Sequence, residues 1–424
     1  MEGITTKDIN IMYEIGSEFN YIEKEVASNL TTMYEGFKDV RFLRCGRDAI
    51  GYICEDIKAM SRDMASKENK ATRCVALLPA LCCDSMYRPF EVHGIEVMFY
   101  GIDDKLCVDT DSIKNIIDDL YEKSEDKPVV MVLTAIYYGI TDIDKLDSFI
   151  KSIDPEIIVI EDVTQGVLAP DRFDKDNADY IIGSIRKWMG VPDGAVAIKN
   201  CIDKAGFQLE PFGGDNSFAI ERSKALRMKT KYLANGDQEL KAKFRELLGH
   251  AEDTLTDGAD IYEISDESRR YLESVPVQNI VSTRNNNYDT LYELLEKSVH
   301  NNVYFTLFPK KRADMPAFML PVIINTDRLN QDIAEKKKAG EADLDNGNKK
   351  DAAIDRDGFE RLLAKKGIYA PVLWPVSDEA VAVCPVSKDI ADHILCFWID
   401  QRYDRFDMVH TKECFEETID ELLR

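Results

Sequence analysis

Short, continuously apolar runs recur through the first half of the chain, with amphipathic stretches between some of them. The apolar runs have the length of buried strands and lie at residues 74–79, 96–100, 128–134, 157–160, 180–183 and 195–198. Helical periodicity appears at 111–120 and 145–153. Strands that are apolar on both faces and alternate with helices predict a mostly parallel sheet that is covered on both sides. We therefore expect a three-layer α/β/α domain.

The second half of the chain has a different pattern. Residues 211–255 show helical periodicity and are heavily charged, and a further helix is predicted at 287–297. Strand-like runs return at 317–324 and 393–399. Strands and helices of this kind predict a smaller C-terminal α+β domain.

These patterns divide the chain into two parts. We predict an N-terminal segment and large domain over residues 1–255 and a small domain over residues 256–424. Residues 332–357 are dense in Lys, Glu, Asp, Asn and Gly. Such a composition indicates a solvated insertion that lengthens a helix or loop of the small domain, although a functional arm is the alternative.

Charge narrows the class of partner. The chain has 54 lysines and arginines against 78 aspartates and glutamates, which gives a formal net charge of -24. A field of this sign repels phosphodiester backbones, so we expect no nucleic-acid partner. No apolar run reaches membrane-spanning length, and residues 1–8 lack the basic and apolar regions of a signal peptide. We therefore expect a cytoplasmic protein without a membrane partner.

Cysteine and histidine spacing excludes two further classes of site. The 10 cysteines are scattered and form no CxxC pair, which is typical of thiols in a reducing compartment. None of the five histidines is spaced i,i+4 from another, so a zinc site is not expected.

Two charged side chains follow the predicted strands of the sheet. Asp162 comes shortly after the strand at 157–160, and Lys187 follows the strand at 180–183. Each has an ordinary explanation, because an aspartate can cap a helix and a lysine on a turn is usually solvated. However, ligands of such sheets bind beyond the carboxyl ends of the strands. We therefore predict that Asp162 and Lys187 share one site.

A carboxylate and a lysine in one pocket are the combination that a pyridoxal phosphate enzyme requires. The carboxylate pairs with the protonated pyridine nitrogen and keeps the ring electron-poor, and the lysine amine holds the aldehyde as a Schiff base. Gln165 lies three residues after Asp162. Tyr137 and Tyr138 end another strand and belong either to the core or to a substrate-facing surface.

The phosphate of such a cofactor needs a cradle, and two segments offer one. Gly46 and Arg47 lead into an amphipathic run at 49–60. A glycine at a helix start exposes backbone N–H groups at the positive end of the helix dipole, where a phosphate binds well. Ser184 offers a hydroxyl beside Lys187. An ordinary helix start is the alternative explanation of Gly46.

Taken in this order, the segments resemble fold type I, the aspartate aminotransferase superfamily of pyridoxal phosphate enzymes. They are most similar to its DegT–StrS-type sugar aminotransferases. The similarity spans residues 41–200 and the C-terminal third of the chain. Residues 160–165, Ile-Glu-Asp-Val-Thr-Gln, are similar to the family's Glu-Asp-Ala-Ala-Gln segment. Residues 45–49 stand where the family has its phosphate-binding Ser-Gly-Thr-type turn.

The resemblance implies a role for each candidate residue. Asp162 would bind the pyridine nitrogen, Gln165 would lie near the ring hydroxyl, and Lys187 would be the Schiff-base lysine. The other implied cofactor contacts are at the phosphate and over the ring, from Gly46, Arg47, Ser184 and Cys83. A homodimer with residues of both chains near the phosphate is also implied.

The sequence departs from the DegT–StrS pattern at three places. Lys187 follows Ser184 by three residues, a shorter spacing that occurs elsewhere in fold type I. Cys83 stands where an aromatic ring often stacks on the cofactor, and its side chain is small but polarizable. Ala195 replaces the second glycine expected after Gly194.

We predict an aminotransferase that moves an amino group from an amino-acid donor to a keto acceptor, and the resemblance points to a nucleotide-linked keto sugar as that acceptor. The alternatives are another reaction of the same fold, such as a lyase or a desulfurase, and a degenerate non-catalytic member. Arg284 and Arg402 are candidates for binding a substrate carboxylate or phosphate, with surface ion pairing as the ordinary alternative.

Overall fold

The computed structural model describes residues 14–21, 30–68, 73–141, 143–200, 206–213, 216–340, 353–371 and 374–424. The strands of these ranges are β1 (Ile15–Gly16), β2 (Asp39–Leu43), β3 (Cys74–Pro79), β4 (Glu96–Tyr100), β5 (Val129–Ala135), β6 (Ile158–Asp162), β7 (Tyr180–Gly183), β8 (Ala195–Lys199), β9 (Phe305–Leu307), β10 (Leu320–Ile324), β11 (Ile368–Tyr369) and β12 (Ile394–Phe397). The helices are α1 (Gly46–Glu68), α2 (Asp84–Val92), α3 (Thr110–Lys123), α4 (Ile143–Ile153), α5 (Ser217–Asn235), α6 (Gln238–Asp253), α7 (Asp266–Leu272), α8 (Val277–Glu296), α9 (Thr326–Gly340), α10 (Arg356–Lys365), α11 (Asp378–Val383), α12 (Pro385–His393) and α13 (Arg405–Leu422).

Seven strands form the central sheet, in the order β2-β8-β7-β6-β5-β3-β4. Neighbouring strands from β4 to β7 are parallel, whereas β8 is antiparallel to both of its neighbours. The inner strands β5, β6 and β7 are buried almost throughout, which explains their continuous apolar runs. The mostly parallel α/β sheet predicted from the sequence is confirmed.

The end of β6 differs from the prediction in a way that matters for the site. The strand was expected at 157–160, but it runs on to Asp162, which pairs with Ile182 of β7 and Ala135 of β5. The pairing of both neighbours extends the strand past its apolar residues. Asp162 is therefore the last residue of a central strand.

The helix predicted at 287–297 is the second half of α8, which begins at Val277. Its first turns were hidden because the face that packs against the protein includes the buried polar residues Arg284 and Asn287. The charged stretch at 211–255 contains α5 and α6, and its helical part begins only at Ser217. Gly236, with φ of 71°, ends α5 in the left-handed conformation, and Asp237 caps α6.

The apolar side chains form two main clusters. The larger cluster covers one face of the central sheet and also includes Leu272 and Val277 from the region of α7 and α8. The other face of the sheet has a smaller cluster of its own, which includes Val75, Val132 and Val159. The second main cluster lies around the three-stranded sheet β12-β10-β9 and includes Ile15 from the N-terminal segment. β1 pairs in parallel with β11, so residues near the two ends of the chain share this second core. The domain boundary at residue 255 stays a prediction.

The charged insertion predicted at 332–357 is partly helical. Its first residues continue α9 to Gly340, and its last ones begin α10 after the cap residue Asp355. Residues 341–352 lie outside the described residues. Within the described ranges, no helix is long and apolar enough to cross a membrane, and the nine cysteines there are free thiols.

Candidate active site

A cavity of about 250 Å³ lies beyond the carboxyl ends of β5, β6 and β7. Asp162 and Lys187 both line it, together with Gln165 and Cys83. A second cavity of about 40 Å³ lies beside the first turn of α1 and is lined again by Asp162 and Lys187. Gly46, Arg47 and Ser184 line this smaller cavity. The structure thus brings all seven predicted site residues to one pair of cavities.

Asp162 is held at the floor of both cavities. Its side chain is buried, and its Oδ1 accepts a hydrogen bond from the Thr164 N–H at 2.8 Å. Burial raises the pKa of Asp162 above its ordinary value, and hydrogen bonds from Thr164 and the charge of Lys187 offset only part of this rise. A cation beside the carboxylate would reverse the effect, so the site suits a protonated ring nitrogen.

Lys187 lies on a 3-10 turn directly after β7, at residues Ile185–Lys187. The N–H groups of Ile185 and Arg186 both donate to the carbonyl of Gly194, at 3.0 and 3.1 Å. Gly194 has φ of 140°, and a Cβ there would lie 3.2 Å from Ile264 Cδ1, so a glycine is required. This glycine therefore fixes the turn that carries the lysine.

Thr164 joins the carboxylate to the turn that carries Lys187. Its N–H donates to Asp162, its Oγ1 accepts from the Ser184 N–H at 3.0 Å, and its carbonyl accepts from Trp188 Nε1 at 2.7 Å. The side chain lines both cavities. The sequence comparison gave no role to this position, although a threonine replaces the second alanine of the family's Glu-Asp-Ala-Ala-Gln segment.

The smaller cavity has the form of an anion site. Gly46 begins α1, and a Cβ built on it would point toward Ser184 Cβ at 3.7 Å. A larger side chain would therefore extend into the space between the helix start and Ser184. The first turn of a helix has N–H groups without partners in the helix, and these favour a phosphate. Ser85 adds a hydroxyl to the same lining.

Arginines surround this smaller cavity, but a carboxylate already engages them. Arg47 pairs with Glu252 at 3.3 Å and with Asp257 at 3.2 Å. Arg186, which the sequence reasoning did not single out, pairs with Glu252 at 3.1 Å and lines both cavities. Arg47 is therefore close to the predicted phosphate position, with a guanidinium shared between the cavity and two carboxylates.

Cys83 and Gln165 both line the larger cavity. Cys83 precedes α2, and its Sγ is 2.7 Å from Ser85 Oγ. Gln165 Oε1 accepts from the Tyr138 N–H at 2.6 Å. That bond anchors a tight turn after β5, in which Tyr138 and Gly139 both have positive φ, 51° and 74°.

The two tyrosines that the sequence left undecided have different places. Tyr137 lines the larger cavity, and its hydroxyl donates to the carbonyl of Leu81. Tyr138 is buried in the core, with its hydroxyl 3.2 Å from Cys396 Sγ. Tyr137 therefore faces the larger cavity, and Tyr138 belongs to the core.

Neither Arg284 nor Arg402 is a surface residue, and neither lines the cavities. Arg284 is fully buried, donates to the carbonyls of Phe318 and Trp188 at 2.9 and 3.0 Å, and has its pKa lowered to about 10 by burial. Arg402 forms two bonds of 2.8 Å with the buried Asp400. Arg402 therefore forms an ion pair, as one alternative predicted, but a largely buried one, whereas Arg284 forms no surface ion pair. A substrate contact from either arginine stays a prediction.

The N-terminal segment, residues 14–21, contributes to the larger cavity through Glu18 and Phe19. Its path is fixed on one side by the Arg402 guanidinium, which donates to the carbonyl of Glu18 at 3.0 Å. On the other side the buried Lys229 of α5 donates to the same carbonyl. The Glu18 carboxylate lies 3.2 Å from Arg222, and its pKa is lowered despite burial because Arg222 and Arg186 stabilise its charge.

Lys229 gives this region a predicted pH dependence. Burial, with the nearby charge of Arg402, lowers its pKa from 10.5 to about 8. Between these values the unfolded chain binds more protons than the folded one, so the free energy of unfolding rises with pH. We expect a Lys229-dependent rise of about 3 kcal/mol from pH 8 to 10.5. Urea unfolding of the wild type and of Lys229→Met measures it, and equal pH slopes for the two would contradict the prediction.

Comparison with solved structures assigns the fold. The chain is similar to Spr1654 from Streptococcus pneumoniae, described as a sugar aminotransferase and solved in its PLP form, with a TM-score of 0.59, 10% identity, and coverage of 97% of this chain and 100% of that one. It is similar to a DegT DnrJ EryC1 StrS aminotransferase from Brucella abortus (TM-score 0.54, 12% identity, coverage 93% and 91%). It is also similar to a NifS-like protein (TM-score 0.52, 12% identity, coverage 92% and 86%).

The sequence itself matches no protein-family model and has no significant similarity to a curated protein. The structural likeness extends over almost the whole chain and includes several aminotransferases. The chain therefore has the fold of the pyridoxal phosphate-dependent aminotransferases, as the resemblance implied.

Proposed function

We propose that this protein is a pyridoxal phosphate-dependent aminotransferase. The observation that carries the proposal is the meeting of Asp162 and Lys187 in one cavity, beside a smaller cavity formed by the start of α1 and Ser184. An acidic group, a lysine and an anion cradle are the parts that the cofactor needs. The fold, which is that of aminotransferases of this class, supports the same conclusion.

The residues present fit the cofactor in chemistry. The larger cavity, about 250 Å³, lies just below the range of about 300–1,000 Å³ for small-molecule sites. Asp162 would hold the ring nitrogen, and Cys83 and Gln165 would contact the ring. The phosphate would be held by Gly46, Arg47 and Ser184. When bound, pyridoxal phosphate supplies an electron sink for reactions at the α-carbon of an amino acid.

The protein's own groups then have defined tasks. The Lys187 amine would hold the cofactor by its aldehyde and would carry the proton that leaves the substrate α-carbon. The Asp162 carboxylate would keep the ring nitrogen protonated. Thr164 fixes the position of the Asp162 carboxylate relative to the Ser184 backbone, since it is hydrogen-bonded to both.

The acceptor and the assembly belong to the same proposal. A nucleotide-linked keto sugar is our first acceptor, on the strength of the DegT–StrS-type resemblance.

We further propose a cytoplasmic homodimer in which both chains contribute near the phosphate. Phe212, 58% exposed, lies against Tyr262, whose backbone bonds to that of Arg44 just before the phosphate turn. An apolar ring at this place would suit contact with a second chain.

A lyase or desulfurase reaction is the second candidate. Two observations favour it: the similarity to a NifS-like protein and the thiol of Cys83 in the lining of the larger cavity. The same cofactor and the same lysine would serve either reaction.

Titration of the purified protein with pyridoxal phosphate tests the proposal and separates the candidates. We expect one cofactor per chain, a visible absorption band, and loss of that band when an amino donor is added. A transaminase then returns the band only when a keto acceptor is supplied. A lyase, or a desulfurase with an added dithiol as reductant, instead releases ammonia or sulfide and needs no keto acceptor. A protein that binds no cofactor would rule out both.

Thr164→Val should weaken cofactor binding by about tenfold, because the Ser184 N–H is left buried without its acceptor. Valine keeps the shape of the side chain, so packing is preserved. Thr164→Ser keeps the hydroxyl and is the matched control, expected to bind within about threefold of the wild type. The dissociation constant comes from the absorbance titration. Equal affinities for the valine and serine variants would show that the hydroxyl has no such role.

A further inference from the structure

Away from Asp162 and Lys187, the wall of the larger cavity is largely aromatic. Side chains of this part are Phe19, Tyr137, Phe318, Met319, Trp374 and Trp398. Phe19 and Trp398 meet edge to face with ring centroids 5.7 Å apart, and Tyr137 and Trp374 lie 6.4 Å apart. The wall therefore combines residues from the N-terminal segment, the β5 turn and the C-terminal part of the chain.

Two arginines that do not line the cavity, Arg402 and Arg284, contact these aromatic residues. The Arg402 guanidinium lies 4.3 Å from the centre of the Phe19 ring and 5.3 Å from that of Trp398. Arg284 donates to the backbone carbonyl of Phe318 and stacks on Trp188, which in turn packs on the Phe318 ring with centroids 5.3 Å apart. Both guanidiniums therefore contact residues of the aromatic wall, and neither one lines the cavity. The wall itself is held rigid, which favours specificity.

Few charged groups remain in the lining. Apart from Lys187, the cation that lines the larger cavity within the described residues is Arg186, the residue just before Lys187. Its Nε is buried and makes no hydrogen bond within the described part of the chain. Glu18 also lines the cavity, but Arg222 lies 3.2 Å from its carboxylate. The Arg186 guanidinium lines the cavity beside the reactive lysine although it also pairs with Glu252, and this position suits a carboxylate on the substrate.

We propose that the amino donor is an amino acid with an aromatic or large apolar side chain. Its side chain would pack on the aromatic wall and its carboxylate would bind Arg186, so that its amine would lie where Lys187 holds the cofactor. This inference rests on the proposed function and narrows it by naming the donor class. Small amino acids would leave the wall uncovered, and a dicarboxylic acid would place a second charge against rings without a free cation.

Donor specificity of the holoenzyme tests the inference. Phenylalanine, tryptophan and leucine are compared with alanine and glutamate by the rate at which each bleaches the cofactor band. We expect the second-order rate constant for bleaching to be at least about tenfold higher for the aromatic donors than for alanine, because burial of a large apolar side chain stabilises the bound donor. Alanine or glutamate reacting as well as phenylalanine would overturn the inference.

The Trp374→Ala variant tests whether the aromatic wall causes the preference for aromatic donors, because it removes one ring of that wall. This ring is only partly buried, so the variant should fold, and thermal unfolding with an unchanged cofactor band verifies that it does. We expect the phenylalanine-to-alanine ratio to fall about fivefold or more in Trp374→Ala and to be largely retained in Trp374→Phe. Phe406→Ala, at a phenylalanine of α13 that is 83% exposed, is the matched control and should leave the ratio unchanged. An unchanged ratio in Trp374→Ala would contradict the assignment.

The outcomes also separate this inference from the proposed function. A protein that binds the cofactor and reacts with amino acids, but favours small or acidic ones, overturns the donor class alone. A protein without a cofactor band overturns the proposed function and the inference together, and the titration detects this before any donor is added.

Discussion

Lys187→Ala is expected to lower the turnover number of transamination by about 10²–10⁴-fold or more. The variant loses the amine that moves the proton at the substrate α-carbon, and acid–base catalysis by a positioned group contributes about that factor. It also loses the covalent attachment of the cofactor. The single-turnover rate with a saturating donor measures the effect, because it isolates the chemical step from product release.

Two controls make this result specific. Lys187→Arg keeps a positive charge near Asp162 but offers no reactive amine, so it should be as inactive as the alanine variant. Lys224→Ala changes an exposed lysine on α5 and should be fully active. A Lys187→Ala protein with more than a tenth of the wild-type rate would mean that another group performs the proton transfer.

Asp162→Asn is expected to lower the turnover number by about two to four orders of magnitude. The asparagine is isosteric, but the buried cation of the ring nitrogen then lacks its counter-charge, and breaking such a pair costs about 3–5 kcal/mol. The wild-type band and the variant band should also differ, because the ring nitrogen is no longer kept protonated. A variant with more than a third of the wild-type turnover number would show that the carboxylate does not act on the ring.

The same substitution should have the opposite effect on the stability of the cofactor-free protein. The pKa of Asp162 is raised by burial, so the folded state holds its proton more tightly than the unfolded one. The folded state therefore disfavours the charged Asp162 carboxylate. Ionisation of this group lowers the free energy of unfolding once the pH rises above the pKa that Asp162 has in the unfolded chain. At pH 7 the cofactor-free Asp162→Asn protein should unfold at a higher temperature than the cofactor-free wild type. Asp84→Asn, at an exposed first-turn aspartate of α2, is the control and should not gain stability in this way.

The sequence predicted the sheet well for a physical reason. Strands buried on both faces are continuously apolar, so β3 to β8 were recognisable from composition alone, with ends within a few residues. Asp162 and Lys187 followed from the rule that ligands bind at the carboxyl ends of such strands. A polar residue directly after an apolar strand can be recognised from a few neighbouring residues, without knowledge of contacts between distant segments.

Other parts of the site depend on contacts between distant segments. Phe19 and Trp398 are far apart in the chain and meet only because β1 pairs with β11 and Arg402 packs against both rings. Arg284 could not be assigned from its type, since an arginine is usually solvated and this one is buried against backbone carbonyls. Thr164 had a signal that could have found it, a hydroxyl two residues after Asp162 in place of an alanine.

Borohydride reduction of the cofactor-loaded protein, followed by peptide mapping, identifies the lysine that holds the cofactor. Reduction fixes the cofactor to whichever lysine holds it. We expect a single labelled peptide, with the pyridoxyl group on Lys187, and loss of the visible band in proportion to labelling. A label on another lysine, or no label in a protein that shows the band, would contradict the assignment of Lys187 and the site built around it.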